Sequence, residues 1–206
     1  LLNFEAVSSA INLFQDDCAF GLSKRKVTLS TAGLVPGIMR MKETLDCSLA
    51  ISLHAPTDSV RNILVPVNRK YPIKNLLAAA SEYIESRQSL RKLIIEYTLI
   101  EGVNDSPQDA AQLAELLNPI KCKINLIPFN TFDGSDYKSP KDQCVKAFKR
   151  RLVLAGHRVM IRSTRGSDIM AACGQLAELS RIDLDELIDD GSYEHRKVAL
   201  TFREPA

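Results

Sequence analysis

The 206-residue chain has no C-x-x-C pair, and its five cysteines (Cys18, Cys47, Cys122, Cys144 and Cys173) are scattered and odd in number. That spacing argues against a disulfide framework and against a structural zinc site, and it fits a reducing compartment. Neither sign of charge dominates: 27 Lys and Arg face 25 Asp and Glu, for a formal charge of +2. A nucleic-acid partner would therefore have to be held by a local patch rather than by a global basic field. No apolar run approaches the ~20 residues that span a bilayer, and no signal-peptide pattern opens the chain. The expectation is a soluble, cytoplasmic protein with no membrane partner. Tandem repeats and low-complexity segments are also missing. What remains is a chain that is 45% hydrophobic, enough for one sizeable α/β core.

Two hydrophobic periods alternate along it. Phe4, Val7, Ile11 and Phe14 recur at helical spacing, with Asn3 as the expected N-cap. KVTLST (26–31) reads as a buried strand and DCSLAISLH (46–54) as the next. Ile73, Leu76, Leu77, Ala80 and Ile84 then mark a helix, and KLIIEYTLI (92–100) a third strand. Ser106-Pro107 caps a helix through Ala110, Leu113 and Leu117. CKINLIPF (122–129) is a fourth strand, Ser139-Pro140 opens another helix through Val145, Phe148 and Leu152, and HRVMIRS (157–163) closes the series. Strands of continuous apolar character between amphipathic helices imply parallel βα units, in part of a TIM-like barrel or in an open doubly wound sheet. The chain begins with a helix rather than with the strand that should feed it, which suggests that N-terminal units are missing. The charged stretch 180–206 lacks a clear period and reads as an appendage to a domain spanning 1–179.

In such folds chemistry gathers at the carboxyl ends of the strands. Ser30-Thr31 ends the first strand, before a flexible AGLVPG loop, and Ser52-Leu53-His54 ends the second. EGVND (101–105) follows the third strand and Asn130 the fourth; Ser163, Thr164 and Arg165 finish the fifth. Each has a plain reading. A loop hydroxyl satisfies nearby backbone groups, a lone histidine bonds a neighbouring loop, Asn104 and Asn130 serve in turns, and Arg162 and Arg165 are solvated. Their joint placement on one rim favours a shared site without naming its reaction. Among the cysteines, Cys47 and Cys122 begin strands and read as small core residues, while Cys18 and Cys144 lie on helices. Cys173 differs: in DIMAACGQLAE (168–178) its small neighbours leave room beside the sulfur, and a nearby guanidinium would favour thiolate. Spacing alone leaves a reactive and a structural thiol equally open.

TLSTAGLVP, AISLHAPTDSVRN…VPVNRKYPI, EYTLIEGVND, CKINLIPFN and IRSTRGSDIMAACGQL together resemble the radical S-adenosylmethionine adenine-C2 RNA methyltransferases, the RlmN family. The resemblance runs from Leu1 to about Leu179. It implies a partial barrel of the radical S-adenosylmethionine type, S-adenosylmethionine and a [4Fe–4S] cluster as cofactors, and an electron donor to that cluster. It also implies large-subunit rRNA and tRNA as partners. Carbon 2 of adenine is electron-poor and cannot attack a methyl sulfonium. The family therefore first methylates a cysteine, and a 5′-deoxyadenosyl radical then abstracts hydrogen from that S-methyl so that the carbon radical adds to the base. By motif Cys173 matches the methyl carrier. Ser30, Ser52, Leu53, His54 and Asn130 match cofactor contacts, and charge and proximity make Arg162 and Arg165 candidate phosphate contacts. The family's C-x3-C-x2-C ligands, its resolving cysteine and its general base have no counterpart here, so this chain by itself is expected to bind no cluster and turn nothing over. Three other readings stay open: a carbon-8 methyltransferase of the same superfamily, a non-catalytic RNA- or cofactor-binding module, and a cluster-independent barrel enzyme with Cys173 as a simple nucleophile.

Overall fold

A computed structural model describes residues 1–87, 93–132 and 135–162. The expectations placed on Arg165, Cys173 and the 180–206 appendage lie outside the described residues.

Five strands, β1 (Thr28–Thr31), β2 (Ser48–Ser52), β3 (Leu93–Leu99), β4 (Cys122–Pro128) and β5 (Arg158–Ile161), form one sheet. All four pairings are parallel, and the spatial order β1-β2-β3-β4-β5 is the sequence order. Between them run α1 (Phe4–Gln15), which precedes β1, then α2 (Val35–Thr44), α3 (Asp58–Leu64), α4 (Ile73–Glu85), α5 (Pro107–Leu117) and α6 (Asp142–Leu154). A 3-10 turn, Pro66–Arg69, separates α3 from α4.

Leu29, Leu49, Ile51, Ile95, Tyr97, Ile124, Leu126 and Val159 point to one face of the sheet, where a single core joins them to Ile11, Met41, Leu76, Leu113 and Phe148 from five helices. The Tyr97 and Phe148 rings meet there with centroids 5.4 Å apart. Sequential parallel strands joined by right-handed crossovers place their helices on one side, which is barrel geometry. A doubly wound sheet would need a reversal of strand order and helices on both faces, and neither occurs among the described residues.

One expectation fails on this point. Strands buried on both faces should be apolar throughout, yet β3 and β4 alternate between buried and half-exposed residues. The face away from the helices carries Ser30, Ser52, Glu96, Thr98, Lys123 and Asn125. The period of two in LIIEYTL and CKINLIP records that uncovered face.

Smaller corrections have local causes. Asn3 precedes α1 but makes no side-chain cap bond. The expected flexible loop after β1 ends early, because Val35, Pro36 and Gly37 form the first turn of α2; proline's fixed φ suits that turn. Ser139-Pro140 does not open α6, which starts at Asp142 behind Lys141; Ser139 N–H instead donates to Thr131 Oγ1 at 3.0 Å. Cys18 lies beyond the end of α1 rather than on a helix. Ser106 does cap α5, in a reciprocal box with Asp109. Among the described residues no helix is long and apolar enough to cross a membrane.

Candidate active site

The polar face is assembled by strand register. Ser52 sits directly beside Glu96 on neighbouring strands, and Glu96 beside Asn125. From β1, Ser30 Oγ donates to Glu96 Oε2 at 3.3 Å. Just past β5, Arg162 Nη1 lies 4.0 Å from Glu96 Oε1, a long contact to a largely exposed guanidinium. The fold thus brings Ser30, Ser52 and Arg162 around one carboxylate. Glu96 was not among the residues expected to matter. The signal was present: a charged residue in mid-strand, flanked by Ile95 and Tyr97, belongs on whichever face the core leaves open.

Thr31 has the plain role foreseen for it, since its Oγ1 accepts the Gly33 N–H at 3.1 Å. Leu53 contributes through its backbone. Its side chain is buried in the core, its N–H donates to Glu96 O at 2.9 Å, and its carbonyl accepts from Arg61 Nε at 2.9 Å. Asn130 is half-buried just beyond β4, where Phe129 N–H extends the ladder to Leu99 O.

His54 is the most constrained member. Its φ of 59° places it in the left-handed region, which histidine visits more readily than most residues but at a cost. Thr98 N–H donates to His54 Nδ1 at 3.0 Å. An N–H can only donate, so Nδ1 is the bare ring nitrogen and the proton sits on Nε2. Burial, and then the nearby Arg61 cation, lower its pKa from 6.5 to about 4. His54 is therefore a neutral imidazole at physiological pH, able to offer an N–H donor.

Asn104, first assigned to a turn, is completely buried and fastens this corner. Its amide nitrogen donates to His54 O and to Thr98 O, both at 2.7 Å. Its amide oxygen accepts from Ile100 N–H at 2.7 Å, and its carbonyl accepts the Tyr97 hydroxyl at 2.8 Å. Burial pushes the Tyr97 phenol well above its usual range, so the hydroxyl remains a donor. A groove of about 490 Å³ lined by Pro56, Lys74, Leu77, Leu116 and Ile120 includes none of these residues.

Among the described residues no group of three Cys, His, Asp or Glu side chains is placed to hold a metal. Cys47 and Cys122 are buried, Cys18 and Cys144 exposed. These cysteines do not suit an iron–sulfur cluster. The polar face does suit a ligand rich in hydroxyl, amine and carboxylate groups. It presents two serine hydroxyls, a carboxylate and a neutral imidazole within three adjacent strands.

No protein-family model matches the chain. It is 56% identical over 176 residues to the "Dual-specificity RNA methyltransferase RlmN" of Marinobacter nauticus, covering 85% of this chain and 48% of that protein. The protein of the same name from Pseudomonas putida is 51% identical over 85% of this chain and 46% of its own length. Among solved structures, a radical SAM methyltransferase from Sphaerobacter thermophilus superposes with a TM-score of 0.79 at 39% identity, over 84% of this chain and 51% of that one. A domain of a pyruvate-formate lyase-activating enzyme from Bacteroides vulgatus shares the fold, with a TM-score of 0.58 at 20% identity over 79% and 92% of the two chains. The chain spans about half the length of the curated relatives it matches, and over that span its sequence is similar to proteins named RlmN.

Proposed function

We propose that this chain forms the cofactor- and RNA-facing part of a radical S-adenosylmethionine RNA methyltransferase that modifies carbon 2 of adenine in large-subunit rRNA and in tRNA. The observation that supports the reading is that Ser30, Ser52 and His54 lie at or just past the carboxyl ends of the neighbouring strands β1 and β2 in a helix-backed sheet. Relatives named dual-specificity RNA methyltransferases support RNA as the substrate and more than one RNA as the target.

S-adenosylmethionine, when bound with a reduced [4Fe–4S] cluster, would supply both the methyl group and the radical. The cluster's ligands and its electron donor lie beyond what these described residues offer. The chain's own residues hold and orient. Ser30 and Ser52 present hydroxyls that donate or accept, His54 presents Nε2–H without carrying charge, and Asn130 stands at the end of β4. Cys173 is the proposed methyl carrier. Arg162 and Arg165 are the proposed phosphate contacts, and a cytoplasmic setting follows from the RNA targets.

A segment rich in exposed cations supports the RNA partner, as the near-neutral chain requires. Residues 138–162 contain eight Lys and Arg against one acid, Asp142. Lys146, Arg150, Arg151, Arg158 and Arg162 are all exposed. Phosphate backbones bind such segments through counterion release.

The decisive test is Cys173→Ala in the full-length protein, with methylated adenines in rRNA and tRNA quantified by nucleoside mass spectrometry. Base methylation should vanish while reductive cleavage of S-adenosylmethionine persists. A variant that still methylates RNA removes Cys173 from the role, and methyl on carbon 8 in the unaltered protein would select the other superfamily chemistry.

A further inference from the structure

Arg61 is completely buried, yet among the described residues no carboxylate bonds to it directly. Its guanidinium donates in four directions: Nε to Leu53 O at 2.9 Å, Nη2 to Ser52 O at 3.0 Å and to Ala32 O at 2.5 Å, and Nη1 to Asn68 Oδ1 at 2.8 Å. Three of the four acceptors are backbone carbonyls at the carboxyl ends of β1 and β2. Those segments carry Ser30, Ser52 and His54. The fourth, Asn68, is itself buried and held by Asp58 Oδ1 and Asn62 Oδ1, each at 2.8 Å, while Asp58 Oδ1 also accepts Ile73 N–H at the start of α4.

A cation placed there is costly. Burial lowers the Arg61 pKa to about 10, with Asp58 partly offsetting it, so the group stays charged at pH 7. A well-packed apolar side chain would stabilise a core at least as well as a buried charge. What only a guanidinium supplies is a rigid planar fork that reaches several fixed acceptors at once. The backbone makes room for it. Gly33 has φ +121°, and a Cβ there would lie 3.3 Å from Arg61 Nη2.

We propose that Arg61 is the positioning residue of the cofactor seat, its guanidinium tying Ala32 to Ser52 and Leu53 and so fixing the β1 loop against the β2 loop. This rests on the proposed S-adenosylmethionine reading of that rim. Arg61 touches no reacting atom; it sets the spacing between the hydroxyl of Ser30 and the ring of His54. A lysine has three donors at one point and cannot replace the fork.

The test uses the full-length protein with its cluster reconstituted, in unaltered, Arg61→Met and Arg61→Lys forms. S-adenosylmethionine Kd is measured by calorimetry, and KM and kcat by cofactor cleavage. Both variants should raise Kd and KM about tenfold or more while kcat at saturation stays within about threefold, because misplaced contacts weaken the seat rather than the chemistry. In Arg61→Met the His54 imidazole, followed by NMR, should titrate above its unaltered midpoint. A folded Arg61→Met with unaltered Kd and KM overturns the proposal. Where that variant does not fold, Asn68→Ala decides: a rise in Kd at unaltered thermal stability supports the proposal, and an unaltered Kd overturns it. Failure of the unaltered protein to bind S-adenosylmethionine would instead sink the cofactor reading, and the seat with it.

Discussion

The amide nitrogen of Asn104 donates 2.7 Å hydrogen bonds to the carbonyls of both His54 and Thr98, and so locks the left-handed residue after β2 to the end of β3. The same two strands are joined a second time by Thr98 N–H to His54 Nδ1. His54 is held at its carbonyl and at its ring.

Removing that lock should be expensive. Asn104→Ala leaves His54 O, Thr98 O and Ile100 N–H without their present partner around a buried side chain. Each buried group left unsatisfied costs about 1–3 kcal/mol, so a loss of roughly 3 kcal/mol or more is expected in urea denaturation. Asn104→Asp should be no better, since it sets a carboxylate against two carbonyls. A loss below about 1 kcal/mol would mean that water takes the amide's place.

The depressed His54 pKa has a definite sign in stability. The folded form holds the imidazole neutral down to about pH 4, while the unfolded chain protonates it near 6.5. Between those values the unfolded state binds more protons, so stability rises with pH across this window. The contribution is complete above pH 6.5 and lost as pH falls towards 4; the drop corresponds to at most roughly 3 kcal/mol. His54→Asn, a residue that tolerates left-handed backbone, should flatten the stability profile between pH 4 and 6.5. The direct check is the imidazole NMR titration, and a midpoint near 6.5 would refute the burial argument.

Sequence periodicity located all five strands to within about two residues at either end, and it gave the helices that carry Leu76, Leu113 and Phe148. These elements were legible because their apolar residues repeat at the period of the structure. α3 and the 3-10 turn were not foreseen. Their buried residues are Arg61 and Asn68, polar side chains that a hydrophobic pattern never scores. Glu96 escaped for the same reason. The rim itself was visible, because strand ends are visible, but its scaffolding was not. The motif string that pointed to Ser52 also contains Arg61 and Asn68, and EYTLIEGVND contains Asn104, but only the structure shows that these three are buried.

Two glycines with positive φ should respond differently to alanine. Gly102 has φ +68° and open space where a Cβ would stand. Gly102→Ala should therefore cost only the left-handed conformational penalty, about 1 kcal/mol. Gly33 has φ +121°, and a Cβ there would meet Leu76 Cδ2 at 2.9 Å as well as Arg61 Nη2 at 3.3 Å. Overpacking adds to the strain, so Gly33→Ala should cost about 3 kcal/mol. It should also weaken S-adenosylmethionine binding, because the displaced group is the fork that spaces the two loops. Equal losses at the two positions, by thermal denaturation, would show that the contacts around Gly33 relax freely.

The basic segment makes a prediction separate from the cofactor seat. Lys146 and Arg150 stand one turn apart on the exposed face of α6, opposite the buried Val145, Phe148 and Leu152. Neither supports the core, so Lys146→Glu with Arg150→Glu should leave thermal stability within about 0.5 kcal/mol of the unaltered protein. If both contact phosphates, RNA affinity falls and the slope of log affinity against log salt becomes shallower by about 2. Cofactor cleavage without RNA should not change, since α6 lies across the sheet from the polar face that Ser30 and Ser52 share. An unchanged salt slope in filter binding over a range of potassium chloride concentrations would return these side chains to the solvated surface. The phosphate contacts would then have to come from Arg162, at the rim beside Glu96, and from residues outside 138–162.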